Sequence, residues 1–351
     1  MCPPAIATPS ASFKTLAVLT ADVDEDEAED EGIGQPTGGR LDEHPRHLWR
    51  VLRAAVDYLA LNTETGREMM VKAKPYPDPF VFSHLEGHAG AELGCWTGIL
   101  DQQAPMVVFA PGTFATKDAG NTRTKVVGLF EAMDVHTCAI DLRGFGHSSE
   151  LHSTAGYLEA MDVAEIARGF QANDRITDVV LVGESLGAST VLGASRHEPD
   201  AIDGVIALNP FADLGWMIRR LAHEPPGWAP ARFIHHAFAT FLRHVTGDEA
   251  TTFEDYLLAS AATIGISPLE LVHEASPRNH VVGTRVSTLV LHAVDDPVIP
   301  AFHAHVLARA ARGNPNVEVH MTEMGGHASF DLVDQDWYWE TVVGFIEEVS
   351  A

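Results

Sequence analysis

The sequence predicts an α/β protein, with a mostly parallel central sheet, helices on both faces and a helical insertion. Three observations carry that expectation. Short runs of β-branched and apolar residues, of the kind buried on both faces of a parallel sheet, alternate with helical patterns from about residue 105 onward. One such run, Asp178 to Val182, ends in Gly183-Glu184-Ser185-Leu186-Gly187 and passes straight into small residues, where Ala188, Val191, Leu192 and Ala194 fall at helical spacing. Between Phe211 and Arg285 the sequence carries helical patterns and no strand pattern.

Residues 1–42 combine Pro, Gly and Ser with an acidic run, Asp22 to Glu31, in which eight of ten residues are Asp or Glu. A segment so charged and so poor in apolar groups is expected as a disordered tail. From His44 to Asn62, the apolar residues Leu48, Val51, Leu52, Ala55, Val56 and Leu59 recur at three and four, predicting an amphipathic helix. Pro75, Pro77 and Pro79 break the chain before two expected strands, Phe80 to Leu85 and Ala91 to Leu100. The alternation then begins. Strands are expected at Pro105 to Ala110, Val135 to Leu142, the run before Ser185, and Ile202 to Leu208, with helices at Thr122 to Met133 and Ala155 to Asn173 between them. The insertion offers helices at Asp213 to His223, Ala231 to Val245, Thr251 to Ile264 and Pro268 to Ala275. The sheet resumes at Ser287 to Ala293 and Val317 to Met321, and a helix from Trp337 to Val349 closes the chain. The core is therefore expected over 43–211 and 286–351, with the insertion over 212–285.

Composition bounds the function. Apolar residues make up 46% of 351 residues, and no apolar run approaches the roughly 18 residues that a membrane span needs. The N-terminus lacks the layout of a signal peptide, and Cys2, Cys95 and Cys138 are too few and scattered for a disulfide framework, so a cytoplasmic location and a core role for Cys138 are expected. A net charge of −26, with only five Lys among 23 basic residues, excludes a nucleic-acid partner, which needs clustered cations. Oligomeric state is not encoded in any pattern of the sequence.

Active residues in parallel sheets gather at the carboxyl ends of the strands. Ser185 stands there, between two glycines that permit a turn tight enough to lift its hydroxyl above the sheet edge. The competing explanation is a serine that merely caps the following helix. A serine hydroxyl is a weak nucleophile at neutral pH and needs a base, which in turn needs an orienting group. Two later strand ends supply candidates: Asp295-Asp296-Pro297-Val298-Ile299-Pro300 and Gly325-Gly326-His327.

With the order Ser, Asp, His in place, the chain resembles the α/β-hydrolase-fold serine hydrolases over roughly residues 75 to 351. The resemblance implies Ser185 as nucleophile, Asp296 as acid and His327 as base. Spacing to Val298 and Pro300 favours Asp296, with Asp295 as its rival. It implies an oxyanion hole from the backbone N–H of Leu186 and of Thr113, with Phe114 the next candidate after Thr113, in Pro111-Gly112-Thr113-Phe114, where the superfamily commonly has His-Gly; the usual bracing of that loop is then missing. It implies a structural role for the Asp141 to Ser148 loop, with His147 outside catalysis, and a cap over the pocket formed by 212–285. Trp216, Met217, Phe233, Phe238, Phe241 and Leu257 would give that cap apolar surface for an acyl chain or for packing on the core. Glu184, beside the nucleophile, is expected as a solvated or cap-facing side chain.

The function so implied is hydrolysis of a small-molecule carboxylic ester through an acyl-enzyme, with no cofactor and no metal. His235, His236 and His244 lack carboxylates at ligand spacing and no HExxH occurs. An amidase or peptidase, or an acyltransferase, would share the triad. A noncatalytic binding protein would not require all three residues, and no GxGxxG opens the first βα unit for a dinucleotide.

Overall fold

The computed structural model describes residues 76–113, 115–149, 153–223, 253–296 and 298–351. The expected tail, the helix at 44–62 and the helix at 231–245 lie outside the described residues. Eight strands form one sheet: β1 (Val81–Glu86), β2 (Glu92–Gly98), β3 (Ala104–Ala110), β4 (His136–Ile140), β5 (Ile176–Glu184), β6 (Gly204–Leu208), β7 (Ser287–Ala293) and β8 (Val317–Thr322). Their spatial order is β1-β2-β4-β3-β5-β6-β7-β8. β2 alone runs against its neighbours, and β3 to β8 are all parallel.

Alternation along each central strand builds two cores. From β3, Met106, Val108 and Ala110 enter one cluster and Val107 and Phe109 the other; β5 divides Val179 and Leu181 from Val180 and Val182 in the same way. Because both faces must be apolar, these strands read as continuous hydrophobic runs. Helices α2 (Tyr157–Gln171) and α3 (Leu186–His197) cover the first face, while α1 (Gly120–Ala132) and α9 (Gln335–Val349) cover the second. On α9 the buried residues Tyr338, Val342 and Ile346 recur every four positions, and Asp334 caps the helix by accepting the Trp337 N–H at 3.2 Å.

Within the insertion, α4 (Leu214–His223), α5 (Phe253–Ile264) and α6 (Pro268–Glu274) match three of the expected helices. Trp216, Met217 and Leu257 are buried in the first core cluster, where they pack on the core. Phe233, Phe238 and Phe241 lie outside the described residues.

Two elements escape the sequence pattern. α7 (Phe302–Ala310) buries His303, Ala304 and Leu307, and the first of these is polar, so no apolar stripe announces it. His303 is retained inside by the Ala212 N–H, which donates to its Nδ1 at 3.0 Å. α8 (Phe330–Val333) is a single turn anchored by Phe330.

The cysteine expectation also needs correction. Cys95 and Cys138 are joined as a disulfide, with Cα atoms 6.4 Å apart. The antiparallel register sets Cys95 against Ile140 and Thr97 against Cys138, so the two cysteines are diagonal neighbours across β2 and β4. A separation of 43 residues concealed this in the sequence. Both side chains are fully buried, as expected for Cys138.

Replacing Asp334 by Ala should lower the unfolding free energy by about 1 kcal/mol through the lost cap. Ile346→Ala should cost roughly 2–5 kcal/mol through the cavity left between α9 and the sheet. Denaturant midpoints of the two variants check both.

Candidate active site

The carboxyl ends of β5, β6, β7 and β8 lie side by side, and each carries one of the chemically interesting segments. After β5 the chain reverses at Ser185, whose φ of 55° and ψ of −115° place it in a region that L-residues rarely occupy. Packing enforces this. A Cβ on Gly183 would overlap the carbonyl of Gly187, and a Cβ on Gly187 would overlap that of Ala110. Ser185 does occupy the N-terminal boundary of α3, yet its side chain makes no capping hydrogen bond, so the capping explanation fails. Its backbone N–H donates to Leu208 O on β6 at 2.9 Å.

After β7, the two adjacent carboxylates take different partners. Asp296 Oδ2 meets His327 Nδ1 at 2.8 Å, while Asp295 Oδ1 accepts the Gly326 N–H at 2.8 Å. Asp296 is therefore the residue in contact with the histidine. Its other oxygen accepts N–H bonds from Val298 at 2.7 Å and Ile299 at 3.0 Å. The Val298 amide arrives through the Asp-x-Val spacing read from the sequence.

His327 keeps 17% of its side chain exposed, whereas the Asp296 side chain is fully enclosed. Burial pulls the His327 pKa down, but the Asp296 charge and hydrogen bond, with help from Glu184, outweigh it and raise the pKa above the ordinary histidine value. Such an imidazole is held more readily in its protonated form.

Glu184 departs from its expected solvated state. It is buried, and Lys125 Nζ on α1 donates to its Oε1. The same ammonium lies 3.2 Å from both Ala328 O and Asp331 Oδ1. Burial works against the Lys125 charge, but Glu184, Tyr338 and Asp331 hold its pKa above the ordinary lysine value. The carboxylate beside Ser185 thus has a resident counter-charge, and the pair fastens the turn at Ser185 to the histidine loop.

The Pro111-Gly112-Thr113 turn and the start of α3 lie on either side of Ser185 in the chain's path at this edge. Gly112 lies so close that a Cβ there would come 2.9 Å from Ser185 Cβ, and Leu186 opens α3 directly after Ser185. Phe114 lies outside the described residues. The bracing of this loop, which the absent histidine left open, comes from a buried lysine. Lys117 Nζ contacts Asp118 Oδ2 at 2.7 Å, Asp141 Oδ2 at 2.8 Å and His147 Nδ1 at 2.8 Å. Its backbone N–H donates to Asp141 Oδ1 at 2.8 Å, and its carbonyl accepts from Tyr76 Oη at 2.6 Å. Burial opposes ionisation of Asp118, yet His147 and Lys117 hold its pKa down to about 2. Among the described residues Asp118, Asp141 and His147 form a cluster with metal-ligand geometry, but the Lys117 ammonium sits among their donor atoms. The rest of the 141–148 loop is structural as expected: Arg143 grips Asp162 with bonds of 2.7 and 2.6 Å.

A model of the alpha/beta hydrolase family matches residues 107–338, more than half of the chain. The chain belongs to this family. Curated relatives of this hydrolase include a lysophosphatidylserine lipase of Xenopus tropicalis, 24% identical over 217 residues that cover 61% of this chain and 48% of the lipase. The chain thus spans about half the length of that relative. A putative carbamate hydrolase of Klebsiella pneumoniae (strain 342) is 26% identical over 197 residues, covering 52% of this chain and 71% of its own. Among solved structures, an esterase of Pyrococcus furiosus superposes with a TM-score of 0.59 at 15% identity, covering 78% of this chain and 93% of the esterase. The Butyrivibrio proteoclasticus esterase Est1E with bound ferulic acid gives 0.55 at 16% identity, covering 76% and 98%. These likenesses establish the fold. No helix among the described residues is long and apolar enough to cross a membrane.

Lys117→Met should destabilise the hydrolase by roughly 3–5 kcal/mol, because Asp141, with no exposed surface, would be left charged and unpaired. Adding Asp141→Asn should recover part of the loss in urea unfolding.

Proposed function

We propose that this hydrolase is a serine esterase that cleaves a small-molecule carboxylic ester through an acyl-enzyme. The bond between His327 Nδ1 and Asp296 Oδ2, on the sheet edge that carries a strained and uncapped serine, is the observation that supports it most. It leaves His327 Nε2 as the nitrogen to serve the substrate side, and fixes which tautomer the neutral ring adopts.

Ser185 Oγ attacks the ester carbonyl while His327 takes its proton. The carbonyl π electrons move to oxygen, where the backbone N–H groups of Leu186 and Thr113 receive the negative charge. Collapse breaks the bond to the leaving alcohol, which departs with the proton held by His327, leaving Ser185 acylated. Water then attacks the acyl carbon, His327 accepts a proton from it, and the acid is released as that proton returns to Ser185. Asp296 stabilises the imidazolium in both halves without itself taking the proton.

We assign residues 212–285 as a cap over this site. A series of p-nitrophenyl esters of increasing chain length tests this, since a cap that bounds the pocket gives a sharp cutoff.

Ser185→Ala should abolish fluorophosphonate labelling and lower kcat for p-nitrophenyl esters by at least about four orders of magnitude. Unchanged turnover in this variant would sink the proposal. Asp296→Asn should cost about as much, and Asp295→Asn far less. Because His327 must be neutral to accept a proton and its pKa is raised, the acid limb of kcat/KM should fall above about 6.5, the ordinary histidine value. In Asp296→Asn burial is opposed by Glu184 without the Asp296 charge, and the limb should shift to lower pH.

A further inference from the structure

The geometry points to Asn209 as a positioning residue that clamps the Asp296–His327 pair, an assignment that rests on the triad proposed above. Asn209 follows the last residue of β6 and has no exposed surface. Its Nδ2 donates to Asp296 Oδ2, the oxygen that also meets His327, and lies 3.3 Å from Gly326 O. Its Oδ1 accepts the Ala328 N–H at 3.3 Å. One amide therefore grips the acid and both residues that flank the histidine.

Stoichiometry gives this weight. A carboxylate offers about four lone-pair directions. Val298 N–H and Ile299 N–H engage Asp296 Oδ1, while His327 and Asn209 engage Oδ2. Without Asn209 one direction at Oδ2 is empty and the carboxylate can roll, carrying the imidazole with it. The backbone tells the same story: Asn209 has φ of 50°, a conformation in which glycine is unstrained and asparagine is tolerated. The side chain, rather than backbone ease, justifies asparagine there. Its own N–H is fastened to Leu291 O on β7 at 2.8 Å, and the preceding carbonyl, that of Leu208, receives the Ser185 N–H. The end of β6 thus touches the segments that carry serine, acid and base.

The test uses Asn209→Gly, which removes the amide while keeping the left-handed backbone accessible, and the isosteric Asn209→Asp. Charged or titratable groups around His327 besides Asp296 are Glu184, Lys125 through the Ala328 carbonyl, Asp295 through Gly326, and His292; none is altered by either variant. Expected for Asn209→Gly is a fall in kcat of roughly ten- to a hundredfold on p-nitrophenyl acetate, with KM unchanged. Its His327 Nδ1–H proton resonance, assigned by its absence in His327→Gln, should weaken or shift. For Asn209→Asp, a second carboxylate at the pair should move the His327 titration to higher pH. Wild-type kcat and an unchanged His327 titration in both variants, with only the unfolding midpoint altered, would overturn the assignment. The resonance is read without turnover, so a clamp that stands in a protein inactive on esters would separate failure of the ester proposal from failure of this one.

Discussion

Between β3, β5 and the start of α3 the backbone runs closer than side chains allow, and the site is organised around that crowding. Gly183, Gly187 and Gly112 are the points of contact: each lacks a Cβ where a neighbouring backbone or the Ser185 side chain already occupies the space. The turn so formed holds Ser185 at positive φ and puts its amide on Leu208 of β6. Strain at a single residue survives only where the surroundings over-determine it. Here the parallel ladders on both sides of β5 and the two apolar cores behind them do so.

Around this turn the buried charges act as fasteners. Lys125 joins the elbow to the histidine loop, Lys117 ties the loop after β3 to the loop after β4, and Asp296 collects its donors from its own turn, from β6 and from His327. Buried ions are costly to desolvate and do not make a protein stable by themselves. What they supply is geometry, because a partly satisfied charge penalises any loop conformation that breaks its bonds.

The sheet was legible in the sequence because β3, β5, β6 and β7 are buried on both faces and so announce themselves as apolar runs. The segments of Ser185, Asp296 and His327 were legible because strand ends with Gly-rich or acidic turns stand out against them. Other features were invisible for physical reasons. Little local distinguishes Lys117 and Lys125 from surface lysines, since apart from Asp118 their side-chain partners lie 24 or more residues away. Glu184, at the end of β5, read as solvated because its counter-ion Lys125 is on α1, 59 residues away. The Cys95–Cys138 bond depends on strand register, and α7 hides behind a buried histidine. Asn209 offered one hint, an Asn-Pro pair at a strand end, but its meaning required knowing which loops converge there.

The lysines carry one more consequence. Only five occur in the whole chain, and both of those among the described residues, Lys117 and Lys125, are shut inside the fold next to the loops that carry Ser185 and His327. The other three, Lys14, Lys72 and Lys74, all precede residue 76. Amine-directed chemistry such as surface immobilisation, acylating reagents or cross-linkers would therefore find no accessible side-chain amine on the described part of the hydrolase, and its reach is confined to the N-terminal segment.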